Sequence, residues 1–318
     1  MRDYWNKEKQ KMPIKKASEL DFTQKKIKMI VAGYAGIGKT TLALSSPKPL
    51  LFDIEGGVDR VEGLYRKDTL VVDTYEGLLK DLEQEDLSGY ETFIIDTGGK
   101  LLDLMKPYVI KENQQNGQKD GTLSIKGWGA VAQEFKRFHS LISEMKKHII
   151  FIFHTKEESD GDAVRLRIAV EGSIKTKIWE DMDLGGFVEM QGKKRTIGFS
   201  NTERYYAKGT NGVSGLFDIP QLFEGSENNF LSKLFENYIN TLQATTQELS
   251  DKKETYAGAM KLLPIINTCT NLEQLNSMLD KVVKVKHALT SERELKSHLM
   301  NKAKELGYKY DSNIKAFL

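Results

Sequence analysis

The chain has 318 residues, 39% hydrophobic and 29% charged, with a formal net charge of +2. That length allows one large or two ordinary globular domains, and the near-neutral charge by itself selects no partner. No run approaches the roughly 18 apolar residues of a membrane helix, and the single Cys269 excludes an internal disulfide framework or a cysteine zinc site.

In chain order, residues 1–26 are a basic N-terminal arm in which Arg2, Lys7, Lys9, Lys11, Lys15, Lys16, Lys25 and Lys26 outnumber Asp3, Glu8, Glu19 and Asp21. Such an arm either touches nucleic acid or is a solvated extension. No apolar stretch follows it as in a secretory leader, Met12 offers a second start, and a reducing cytoplasm is the expected location. Apolar runs at 27–32, 50–53, 69–73, 92–96 and 148–154 then predict buried strands. Helical periodicity at 39–46, 75–85, 100–111 and 130–147 alternates with them, which predicts a mainly parallel, doubly wound α/β sheet. Segments 164–170, 196–199 and 204–207 predict further strands that make the sheet mixed. An amphipathic helix at 230–242 closes a domain spanning 27–243. Segment 244–256, ATTQELSDKKETY, is polar and proline-free and reads either as a linker or as a poorly packed helix end, and 257–318 as three or four short helices.

Gly33-Tyr34-Ala35-Gly36-Ile37-Gly38-Lys39-Thr40-Thr41 carries the phosphate-loop spacing between a predicted strand and a predicted helix. Glycines let backbone N–H groups turn toward phosphates, and the helix start adds partial positive charge. Lys39 reaches the β and γ phosphates, and Thr40 offers its hydroxyl to Mg2+. Asp96, ending TFIID, supplies the acidic partner for that metal. The next residues, Thr97, Gly98 and Gly99, hold no base. Glu55 follows the strand ending at Asp53 and is the candidate to orient the attacking water, because ligands gather beyond the carboxyl ends of strands. The alternative is a solvated turn acid before Gly56. Asp53 is expected to hold the loop.

The segments GYAGIGKTT, LLFDIEGG, FIIDTGG, KGWGAVAQEF, FIFHTKE and ERYYAKG, over residues 27–225, resemble the phage-encoded RecA-like ATPases of the single-strand annealing and recombination type. The resemblance implies a RecA-like P-loop core with a small C-terminal helical region, ATP and Mg2+ as ligands, and Glu55 as the catalytic glutamate. It implies that His154 senses the γ-phosphate, with KEESDGDAVRLR beyond it as a mobile loop, and that Lys208 reaches into a neighbouring subunit's site. A structural histidine and a surface lysine are the competing readings. It further implies single-stranded DNA as partner and self-association into a ring or filament. For DNA contact, segment 113–128 offers Lys119, Lys126 and Trp128, and the tail offers Lys281, Lys284, Lys286 and His287. Trp128 packed at a helix start, and a solvated tail face, are the alternatives. The C-terminal helices are also a possible dock for a protein partner. Three functions fit: an ATPase acting on single-stranded DNA in recombination, an ATPase for helicase loading or translocation, and a nucleotide-dependent switch or scaffold with little hydrolysis.

Overall fold

A computed structural model describes residue 15, residues 20–161, 163–172 and 174–318; most of the basic arm, with Met12, lies outside the described residues. The chain divides into two compact units. One is Thr23–Thr241; the other contains Leu242–Leu318 with the described residues before Thr23.

The first unit is built on one mainly parallel sheet. Its strands are β1 (Lys28–Gly33), β2 (Pro49–Asp53), β3 (Thr69–Val71), β4 (Thr92–Asp96), β5 (His148–Asp160), β6 (Ala163–Ile168), β7 (Leu184–Gln191), β8 (Lys194–Gly198) and β9 (Leu216–Asp218). They run in the order β3-β2-β4-β5-β1-β7-β8-β9, with β6 paired to β5. Pairs from β3 through β7 in this order are parallel, whereas β8, β9 and β6 join antiparallel. The helices are α1 (Lys39–Ala43), α2 (Tyr75–Gln84), α3 (Gly98–Glu112), α4 (Ile125–Glu144), α5 (Ile174–Glu180) and the start of α6 (Phe230–Met260).

Both sheet faces are covered, which is why the strands are apolar at successive positions rather than alternating ones. Ile30, Phe52, Phe93, Ile95, Phe151 and Phe153 join a core with α2, α3 and α4. Their strand neighbours Met29, Val31, Leu51, Ile94, Ile150 and Ile152 point the other way and are equally buried. On that side Ser45, just after α1, accepts from Leu231 N–H through its hydroxyl, and His148 stacks on Phe235, 5.0 Å between centroids.

Two sequence expectations change. Segment 204–207 is no strand; Tyr205 and Lys208 form only isolated bridges to Leu166 and Gly185. The expected mobile loop KEESDGDAVRLR is a β-hairpin instead, because Leu166 and Ile168 bury one face and Lys175 donates to both oxygens of Glu158 at 2.8 Å. The stretch 113–128 holds a 3₁₀ turn at Gln114–Asn116, a Gly117–Leu123 bridge and the start of α4 at Ile125. There the Ser124 hydroxyl accepts from Gly127 N–H at 3.1 Å. Of the two readings of segment 244–256, the linker gives way to the helix: it is helical throughout, inside α6.

The second unit has its own core. After α6 come α7 (Leu263–Asn267), α8 (Leu272–Lys284), α9 (Ser291–Glu305) and a two-stranded pair, β10 (Tyr310–Asp311) with β11 (Ala316–Phe317). Leu275, Met278 and Val282 of α8 meet Leu295, Leu299 and Ala303 of α9, a packing set by apolar residues three and four apart. Among the described residues no helix is long and apolar enough to cross a membrane.

Candidate functional site

Strand register brings the site together. Gly33 lies beside His154, and Asp53 beside Asp96, so the carboxyl ends of β1, β5, β2 and β4 open on one side. The loop 33–41 turns there into α1. Gly36 and Gly38 have φ of 74° and 88°, a left-handed backbone that side chains disfavour. A Cβ on Gly33 would meet the Val188 carbonyl at 2.8 Å, so the loop's start must be glycine too.

Lys39, only 5% exposed, donates from Nζ to the Tyr34 carbonyl at 2.8 Å. Its Nζ also lies 3.3 Å from His154 Nδ1. The other ring nitrogen, Nε2, stands 3.0 and 3.2 Å from the two Glu55 oxygens. An ammonium has no acceptor and a carboxylate no donor. The neutral tautomer that satisfies both accepts at Nδ1 and donates from Nε2. Lys39, His154 and Glu55 thus form one hydrogen-bonded chain.

The Thr40 hydroxyl donates to Asp96 Oδ2 at 2.6 Å. Burial holds the Asp96 carboxyl above the usual aspartate range; the Thr40 hydrogen bond opposes this, Asp53 and Glu55 add to it, and Lys39 opposes it. Burial likewise pulls the Lys39 ammonium below the usual lysine range, opposed by Asp96 and Glu55 and aided by Arg60. Asp53 faces the backbone: it accepts from Gly57 N–H at 2.8 Å and Val58 N–H at 3.1 Å, and so fixes the turn that presents Glu55.

Lys39, Thr40, Glu55, Asp96 and His154 line one cavity of about 280 Å³ with the loop residues Ala35, Gly36, Gly38 and Thr41. Of the remaining loop residues, Tyr34 turns outward and donates from its hydroxyl to Glu157 of the hairpin at 2.7 Å. Ile37 lies within 3.2 Å of the position a Gly33 Cβ would take. His154 also lines a second cavity of about 250 Å³, with Lys100, Lys106 and Trp128. Lys208 is not brought to the loop. It lines a separate cavity with Arg167, Lys175, Trp179 and Tyr206.

Among the described residues no group of three or more His, Cys, Asp or Glu side chains is arranged to hold a metal ion. The Thr40 hydroxyl and the Asp96 carboxylate nonetheless fit a hard cation that completes its shell with phosphate and water oxygens. Asp53 and Glu55 also lie close enough to Asp96 to raise its carboxyl, so the donor set is acidic on balance with Lys39 opposing.

Two arginines escaped sequence reasoning. Arg60, on a 3₁₀ turn at Val58–Arg60, lines the loop cavity. Arg195, on β8, presses its guanidinium against Gly38. The only signal for Arg60 was its place five residues after Glu55, and Arg195 had none. Comparison with known proteins agrees with the loop. A family model described as an AAA domain matches residues 25–210, more than half of the chain. No curated protein gives a significant match.

Proposed function

Because the chain belongs to the AAA-domain family of P-loop ATPases, we propose that it is a Mg2+-dependent ATP hydrolase whose turnover is governed by single-stranded DNA, as in phage-type recombination. The observation that carries the hydrolase reading is the Lys39–His154–Glu55 chain in the cavity shared with Thr40 and Asp96. The loop backbone and Lys39 bind the phosphates. Thr40 and Asp96 would hold the metal, which when bound neutralises charge on the phosphate oxygens. The Glu55 carboxylate orients the attacking water and accepts its proton. His154, donating from Nε2, keeps that carboxylate in place before substrate arrives.

The DNA reading is supported by the second cavity, which His154 also lines. Lys106 Nζ stands 5.4 Å from the Trp128 ring centroid, so a cation and an aromatic face lie together there. Single strands use that combination for backbone charge and base stacking. A ligand in this cavity touches the histidine that holds Glu55, which gives DNA a direct route to the hydrolytic group. The reading of self-association has narrower support: half-buried Lys208 lines, with Tyr206 and Trp179, a cavity away from its own phosphate loop.

Hydrolysis by the purified protein with ATP, Mg2+ and a single-stranded oligonucleotide tests the proposal. The expected result is metal-dependent turnover raised by the oligonucleotide. Glu55→Gln should keep ATP affinity and lose turnover by about 10²- to 10⁴-fold. Turnover that ignores the oligonucleotide removes the DNA claim. ATP binding without measurable turnover, unchanged by Glu55→Gln, would leave a nucleotide-dependent switch.

A further inference from the structure

Arg195 sits where no motif predicts a nucleotide contact. It lies on β8, opposite Met190 of β7, and its chain position is remote from the phosphate loop. In the fold its Nη1 comes within 2.6 Å of the position a Gly38 Cβ would take. Glycine at Gly38 therefore serves two ends, the left-handed backbone and room for this guanidinium.

The guanidinium has no acceptor. Among the described residues Arg195 makes no side-chain hydrogen bond or ion pair, and its Nε is buried without a partner. Glu227, which lines the same cleft, accepts instead from Asn229 Nδ2 at 2.6 Å. A buried donor left unmade is costly, and a guanidinium is matched best by phosphate or carboxylate. The cleft beside Arg195 is lined by Thr41, Leu42, Ile219, Pro220 and Phe230. Glu55, Asp96 and His154 line the other cavity, with Lys39. Thr41 lines both and so joins the Arg195 cleft to the phosphate loop.

From this arrangement we propose that Arg195 is a nucleotide-binding residue acting within its own subunit: its guanidinium donates to the inner phosphates of a nucleoside di- or triphosphate, beside Thr41, the loop residue that lines both cavities. The proposal rests on the nucleotide-binding reading above and adds the residue that grips the part of the ligand common to ATP and ADP. Hydrogen bonds between a guanidinium and phosphate are charge-assisted and short. A phosphate oxygen reached by Nε would supply the acceptor that this group lacks.

The test is to titrate ATP and ADP separately into the full chain and its Arg195→Met and Arg195→Lys variants, with thermal unfolding recorded with and without nucleotide. Methionine keeps the apolar stem and removes the unmatched donors. The nucleotide-free variant should unfold at or above the wild-type temperature, because nothing paired is lost. Affinity for ATP and ADP should fall together, by about ten- to a hundredfold, and lysine should restore part of it. Unchanged affinity, or a loss confined to ATP, overturns the proposal. So does a lowered nucleotide-free melting temperature with affinity intact, which marks a structural arginine. If the methionine variant fails to fold, Arg195→Gln is read by the same criteria. Wild-type protein that binds neither nucleotide refutes the nucleotide reading itself, and this proposal with it.

Discussion

Asp96 shows how one side chain serves two opposed demands. Its carboxyl is buried among like charges, which raises its pKa, and it is tied to the Thr40 hydroxyl. For an acid raised in the folded state, ionisation works against folding: the native protein binds the proton more tightly than the unfolded chain, so stability falls as pH rises through the window above the ordinary aspartate value. Asp96→Asn should therefore raise the melting temperature of the nucleotide-free protein at neutral pH, while metal-dependent hydrolysis falls by about 10²-fold or more. A variant that melts lower than wild type would show that the carboxylate is already well compensated. Lys39, Thr40 and Asp96 were legible in the sequence because a loop, its following helix and a strand end are local patterns. Arg60 and Arg195 were not, because nothing local marks an arginine whose partner is supplied by another strand or turn.

At the scale of the element, two stretches outside the predicted elements contain glycines that make room for neighbours. β7 runs through Gly185 and Gly186, where a Cβ would meet Trp179 at 2.1 Å and Ile197 at 2.5 Å. At Gly127, in the first turn of α4, a Cβ would lie 2.1 Å from the Asn116 carbonyl. Segment 244–256 is polar but holds neither proline nor glycine, so nothing stops α6. The first residue of β5, His148, carries an element-level consequence for pH. Its Nδ1 accepts from Ile27 N–H at 2.9 Å, and burial pulls its pKa down to about 4. His139 on α4 is likewise pulled by burial to about 4. Between the ordinary histidine value and about 4 the unfolded chain binds these protons and the native protein does not. Stability is therefore full above that window and is lost as pH falls through it, by about 1.4 kcal/mol per pH unit for each histidine. Chemical denaturation from pH 7 to 4.5 should show this slope, and His148→Gln should flatten it. An unchanged slope would mean that other groups dominate acid unfolding.

For the molecule as a whole, the relevant fact is that two apolar cores coexist in one chain. Among the described residues the cluster under α2, α3 and α4, which runs from Ile30 to Ala207, shares no residue with that of the C-terminal helices, which runs from Ala259 to Phe317. A chain ending after Thr245 keeps the buried start of α6, including Leu231, Leu234, Phe235 and Tyr238. It should fold and bind ATP with affinity within about threefold of the full chain, a difference of less than 1 kcal/mol. Circular dichroism and nucleotide titration of that truncated chain check this, and an insoluble or unfolded product would show that the sheet depends on what was removed.

What the amino-acid order determined alone is the sheet's parallel half, the phosphate loop and the acids at the ends of β2 and β4, since each follows from a repeat or spacing within some ten to twenty residues. Mixed strands at 164–170 and 196–199 were legible too, whereas the order of the β5–β6 hairpin and the uninterrupted α6 were decided by tertiary packing, which overrides weak local preference. Only the assembled sheet could place His154 between Lys39 and Glu55, or Arg195 against Gly38. Those contacts join residues from different strands, and hydrogen-bond register across the sheet, not proximity in the chain, sets their distance.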